Sequence, residues 1–140
     1  MASIRREVLI DVPAERLWSA LRDVGALHTR LVTGFVTDCR LDGNARIVTF
    51  ANGVVATELI VDVNDEDCRL AWAAVGGRLT HHNASAQVFA EGPDRCRLFW
   101  IADLLPDEMA PAITGMIEQG TAAMKKTMEQ VSDSLPDSQG

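Results

Sequence analysis

From Gly34 to Leu105 the chain reads as one strand after another, and from Pro106 to about Leu135 it reads as a single helix. Strand candidates cover residues 34–42, 45–51, 54–63, 68–75, 79–91 and 95–105. Asp42-Gly43 and Asn52-Gly53 are strong short-hairpin signals, and Asn64–Asp67, Gly76-Gly77 and Gly92–Asp94 are turn sequences of the same kind. Connections this short join only antiparallel neighbours, because a parallel pair needs a crossover of a dozen residues or more. The pattern therefore predicts an antiparallel meander. A lone long helix behind it must bury its apolar stripe on that sheet.

That stripe is formed by Ile113, Met116 or Ile117, Gly120, Met124, Thr127 or Met128, and Val131. About 25 residues at 1.5 Å each give roughly 37 Å of helix, enough to cross a six-stranded sheet. Four methionines (109, 116, 124 and 128) and Gly120 lie along it. Methionine is above all a core residue, but it also adapts to irregular or exchangeable contents. Ahead of the meander, residues 3–12 alternate as a further strand, the seventh in all. Pro13 then starts a helix carrying Leu17, Trp18, Leu21 and Val24, and Gly25 separates it from a short second helix, Ala26–Leu31. Residues 1–135 are expected to form one domain, with 136–140 a polar, frayed tail.

Charge and cysteine usage narrow the partners. Thirteen basic against 20 acidic residues leave a net charge of −7, which gives no long-range attraction to phosphate backbones or anionic membranes. Nucleic acid is not an expected partner, and no apolar run is long enough for a membrane span. Cys39, Cys68 and Cys96 show neither paired nor metal-ligand spacing, so three reduced thiols in a cytoplasmic protein are expected, with no metal. No nucleophile elbow, phosphate-binding glycine loop, zinc motif or other cofactor signature occurs, and no cofactor is expected.

Strand phase decides what faces the helix. In 79–91, Asn83, Ser85 and Gln87 share one face, and Thr80, His82, Ala84, Ala86, Val88 and Ala90 share the other, which should look inward. A row of alanines opposite Gly120 either brings backbones close or leaves a pocket. In 68–75 the set Cys68, Leu70, Trp72 and Ala74 lies on one face. In 95–105 polarity favours Cys96, Leu98, Trp100, Ala102 and Leu104 inside, but Phe99 and Ile101 on the opposite face leave the choice open. Strand 54–63 is also ambiguous. Glu58 and Asp62 suggest that Val55, Thr57, Leu59 and Val61 point in, with Glu58 outside and paired to Arg46 or Arg69. With the opposite phase Glu58 becomes a cavity acid. Asp103 is either solvated or buried near a cavity end, and His28 and His81 are read mainly as surface residues.

The segment IDVPAERLWSALRDVGALH, with Val12-Pro13 and Leu17-Trp18, resembles the opening of the START-like, helix-grip superfamily (SRPBCC): polyketide cyclases/dehydrases, lipid-transfer proteins, the birch-pollen-allergen type and plant hormone receptors. Arg46, Gly53 and Glu58 are similar to the bacterial members' arginine, turn glycine and strand glutamate. Leu98, Trp100 and Pro106 are similar to their penultimate element. The resemblance spans about residues 4–132. It departs at Arg30-Leu31, where similar bacterial sequences often carry an aromatic residue.

The resemblance implies an α+β helix-grip fold: a seven-stranded curved antiparallel sheet wrapped around the C-terminal helix, two short helices after strand 1, and an apolar cavity between sheet and helix. It also makes the Asn52-Gly53 turn a candidate gate, as in related receptors. The leading expectation is binding of a small hydrophobic molecule (lipid-, polyketide- or isoprenoid-like) by Trp72, His82, Ala84, Ala86, Trp100, Met116, Gly120 and Met124. The alternative is a cyclase/aromatase-type enzyme in the same cavity, with His82 a weak catalytic candidate as acid or base. A third reading is an interaction module without a cavity, whose exposed apolar patch, Phe99 with Ile101, would also suit a homodimer.

Overall fold

The computed structural model describes residues 1–134, and the side chains of residues 1–130. The tail expected at 136–140 lies outside the described residues, as does the side chain of Val131. The elements are β1 (Ala2–Ile10), α1 (Ala14–Arg22), a wide turn of π-helix (Leu27–Leu31), then β2 (Val36–Asp42), β3 (Ala45–Phe50), β4 (Val55–Asn64) and β5 (Arg69–Val75). They continue with β6 (His81–Ala90), β7 (Cys96–Leu105), one 3₁₀ turn (Asp107–Met109) and α2 (Ala110–Ser134). The seven strands form one antiparallel sheet in the order β1-β7-β6-β5-β4-β3-β2. This is the expected meander, with β1 added beside β7. The curved sheet and the long C-terminal helix make the helix-grip fold that the sequence resemblance implies.

Local chemistry explains where the elements begin and end. Gly43 and Gly53 sit at φ 61° and 90°, the left-handed region that the short hairpin turns demand. Pro13 supplies φ −59° ahead of α1, which buries Leu17, Trp18, Ala20 and Leu21. Trp18 Nε1 donates to Asp65 at 2.9 Å, and Arg22 Nε donates to the same carboxylate at 2.7 Å. These bonds tie α1 to the β4–β5 turn, and the Arg22 bond is the main reason the Asp65 carboxyl lies below its ordinary range. The second short helix is one π turn, closed by Val32 N–H donating to Leu27 O at 2.9 Å.

On α2 the buried residues are Ile113, Ile117, Gly120, Met124, Thr127 and Met128, the stripe expected from the spacing. Its polar side is fastened to β1. Arg6 pairs with Glu118 at 2.9 Å, and Lys125 Nζ donates to Leu9 O at 2.9 Å. No helix among the described residues is long and apolar enough to cross a membrane.

Two strand phases left open by the sequence are resolved. In β7 the set Cys96, Leu98, Trp100, Ala102 and Leu104 faces inward without a switch, while Phe99 and Ile101 face out, half-covered. Phe99 meets Phe89 edge-on at 5.5 Å. Asp103 is on the outer face too, accepting a bond from Ser3 Oγ at 2.5 Å.

In β4 the expected phase is reversed. Val55, Leu59 and Val61 are 59%, 41% and 65% exposed, and Thr57 lies on the same outer face. Ala56, Glu58, Ile60 and Val63 face the interior. The reason is a bulge between Ile60 and Asp62. The extra residue puts Asp62 outside even though Glu58, four positions earlier, is inside. Two acidic residues that look like one polar face in the sequence belong to opposite faces.

Candidate functional site

The interior divides along α2. Around Gly120 it is packed. The Trp72 and Trp100 indoles meet edge-to-face at 5.8 Å, across the strand that carries Ala84 and Ala86. In register, Ala84 lies opposite Trp72 and Ala86 opposite Trp100. A Cβ added at Gly120 would fall 2.9 Å from Trp100 Cζ3 and 3.4 Å from the Phe35 ring. Glycine and alanines therefore make room for two tryptophans, and the expected pocket between Gly120 and the alanine row is filled by indole. Ala86 and Met124 border a void of about 50 Å³, and Gly120 and Ala84 line neither that void nor the cavities toward the start of α2.

Toward the start of α2 the packing opens into a cavity of about 400 Å³. The 3₁₀ turn contributes Met109, and the helix end contributes Ile113, Met116 and Ile117. The sheet contributes Phe50, Ala56, Glu58, Trp72, His82 and Trp100, and the β5–β6 connection contributes Gly76 to Leu79. A second hollow of about 400 Å³ lies on the other flank of the helix. It shares Phe50, Val54, Met109, Ile113 and Met116 with the first and has Asn52 at its rim. The Asn52-Gly53 turn thus stands beside an opening, with Asn52 Oδ1 holding Val54 N–H at 3.0 Å. Of the ligand-binding residues expected from sequence, Trp72, His82, Trp100 and Met116 surround the first of these two cavities. At the position of the departure from the family pattern, Leu31 is buried against the small void and Arg30 turns away to Asp23 and Ser19.

Two polar groups of the sheet border this cavity, the Glu58 carboxylate with its partner Arg46 and the His82 imidazole, and the exposed Arg78 lines it at the β5–β6 connection. Arg46 and Glu58 are directly opposed across the β3–β4 hairpin, with Arg46 Nε donating to Glu58 Oε1 at 2.8 Å. Both are interior, 3% and 7% exposed. Arg46 Nη1 also donates to Val24 O at 3.3 Å, and its guanidinium lies 5.6 Å from the Trp72 ring centroid. The pair was partly readable. Residues 46 and 58 are equidistant from Asn52, so the hairpin places them opposite each other. The sequence did not show that this face is the interior one.

His82 is the second polar group. The β5–β6 ladder ends at Trp72–Ala84, and the next pair in that register is Ala74–His82. There the imidazole Nδ1 accepts the Ala74 N–H at 2.9 Å. Nδ1 is an acceptor, so the neutral ring carries its proton on Nε2. Burial holds the His82 pKa below its ordinary value of 6.5, while Glu58 and Asp103 pull upward and His81 adds to the lowering. His81 is exposed on the outer side. His28 is half-buried and does not border the cavity.

No group of three or more potential metal ligands occurs among the described residues. The three cysteines are unpaired, and burial raises the thiol pKa of each, that of Cys96 to about 11.

A curved antiparallel sheet gripping one helix, with a cavity at the helix's open end, defines a START-like protein. Residues 1–129 match the family described as polyketide cyclase/dehydrase and lipid transport, and the chain belongs to that family. Among solved structures, a START superfamily protein from Mycobacterium smegmatis superposes with a TM-score of 0.76 at 15% identity, over 92% of this chain and 98% of that one. Norcoclaurine synthase from Thalictrum flavum, a point mutant in complex with a transition-state analogue, gives 0.68 at 18% identity, over 94% and 96%. The di-domain aromatase/cyclase BexL of the BE-7585A biosynthetic pathway gives 0.79 at 14% identity, over 94% of this chain and 48% of that one. At these identities the likeness is one of fold. No curated protein matches the chain.

Proposed function

We propose that this protein binds a small hydrophobic molecule, lipid-, polyketide- or isoprenoid-like, in the cavity at the start of α2. The observation that carries the reading is the contrast within one interior. Gly120 and Trp100 are packed to contact, while about 400 Å³ bordered by Met109, Ile113, Met116 and Trp72 is left open. A volume of this order is typical of small-molecule sites. Burying about 200 Å² of apolar ligand surface is worth roughly 5 kcal/mol before ordering costs. The methionines at the mouth suit contents of variable shape. Three unpaired thiols fit a reducing, cytoplasmic setting.

The test is titration with a panel of two- and three-ring hydrocarbons, isoprenols and medium-chain lipids, followed by tryptophan fluorescence and calorimetry. Trp72 and Trp100 border the cavity, so saturable binding should change their emission. Filling the space with Ile113→Trp should abolish that binding in a protein that still unfolds cooperatively. Absence of saturable binding by any member of the panel would sink the proposal.

A further inference from the structure

Glu58, Ala74 and His82 form a row across three neighbouring strands. Glu58 is opposite Ala74 in the β4–β5 ladder, and Ala74 donates its N–H to the His82 ring. All three border the cavity. On the cavity wall Glu58 and His82 thus flank Ala74, a gap spanned by a methyl-sized side chain.

The two sides of the gap differ in kind. On one side His82 Nδ1 is committed to Ala74, so the ring presents Nε2–H, a donor with no partner among the described residues. On the other, Glu58 Oε1 takes the Arg46 bond, and Oε2 accepts no bond among the described residues. Arg46 balances the charge of Glu58 and is held by Val24 O and the Trp72 face, which keeps it from turning to a ligand. Over Ala74 the site thus shows a ligand one donor and one acceptor, with the charge of Glu58 balanced by Arg46, while the exposed Arg78 lines the cavity at the β5–β6 connection. A ligand filling the cavity would cut both groups off from water, which costs free energy unless the ligand replaces those hydrogen bonds.

We propose that the ligand carries a hydroxyl, phenolic or alcoholic, on its apolar body, and that this hydroxyl sits over Ala74, donating to Glu58 and accepting from His82. A hydroxyl is the simplest uncharged group that does both. A carboxylate placed over Ala74 would face the carboxylate of Glu58, and a bare hydrocarbon would leave both groups unpartnered. The inference rests on the cavity being a ligand site, as proposed above, and adds the headgroup selection.

Calorimetric titration of the full chain with naphthalene, 2-naphthol and 2-naphthoate separates the two ideas. The expected order is 2-naphthol tightest, about tenfold or more over naphthalene for the added hydrogen bonding, with 2-naphthoate weakest. In the double variant R46M/E58M, which exchanges the ion pair for apolar volume, naphthalene should still bind and the hydroxyl preference should fall toward unity. His82→Leu should reduce the same preference through the other partner. Equal binding of naphthalene and 2-naphthol by the unmodified protein, or tighter binding of 2-naphthoate, overturns the hydroxyl assignment while ligand binding stands. A preference that survives both variants overturns it as well. No saturable binding of any of the three overturns the cavity reading and this inference together. If the double variant does not fold, the order of the three compounds on the unmodified protein decides.

Discussion

The two halves of α2 carry similar residues to opposite ends. Met124 and Met128 are 3% and 2% exposed in close-packed surroundings, whereas Met116, and Met109 in the 3₁₀ turn just before the helix, stand half-buried at the edge of a cavity. Gly120 lies against the Trp100 ring, while a Cβ at Gly115, five residues earlier on the same helix, would meet nothing within 4 Å. Residue type does not separate core from site here. The distance between helix and sheet does, and that distance is set by which strand residues fill it. Over Ala84 and Ala86 the two indoles close the gap. Beyond Trp72–Ala84 the β5–β6 ladder stops and the sheet opens.

The comparison can be broken most sharply at the ion pair that borders both regions. Glu58→Ala leaves Arg46 buried without its carboxylate and should cost about 3–5 kcal/mol in urea unfolding, whereas R46M/E58M should cost far less. Equal losses in the two variants would show that Arg46 escapes to solvent. The glycines give a smaller contrast. Alanine at Gly115 should stabilise the helix by about 1 kcal/mol, the ordinary propensity gain. Alanine at Gly120 should have that gain offset or exceeded by about 1–3 kcal/mol as Trp100 is displaced. Matching stabilities for the two variants would mean that Trp100 moves freely, and the packed end would not be packed.

The smallest effect is one of pH. The folded-state pKa of His82 is lowered by burial, so below its ordinary value of 6.5 the unfolded chain binds more protons than the folded one. The stabilisation is therefore present above about pH 6.5 and declines as pH falls below it. His82→Gln keeps an acceptor for Ala74 N–H and does not titrate. Its unfolding midpoint should fall less than the unmodified protein's between about pH 7.5 and pH 5. Parallel declines would assign the acid sensitivity to other groups.

How much of this was legible depends on how local the cause is. The His82–Val88 alternation, the Asp42-Gly43 and Asn52-Gly53 turns and the α2 stripe follow from period and turn chemistry, and each has its place in the fold. The β4 face was misread because a rule that reads acidic residues as outward fails when the acid is neutralised across the hairpin, and because a one-residue bulge flips Asp62 away from Glu58. The meaning of Gly120 was half-readable. A small residue on a helix facing small residues on a strand signals space, but whether a neighbour's side chain fills it depends on two tryptophans leaning in from flanking strands.

By itself, then, the sequence determined the order and pairing of the elements, since short turns admit only antiparallel neighbours and an apolar stripe on a long helix must be covered. The tertiary structure alone decided where the interior is full and where it is hollow. Packing is a sum over side chains from strands and a helix far apart in the chain, and no local pattern records how nearly that sum fills the space between them.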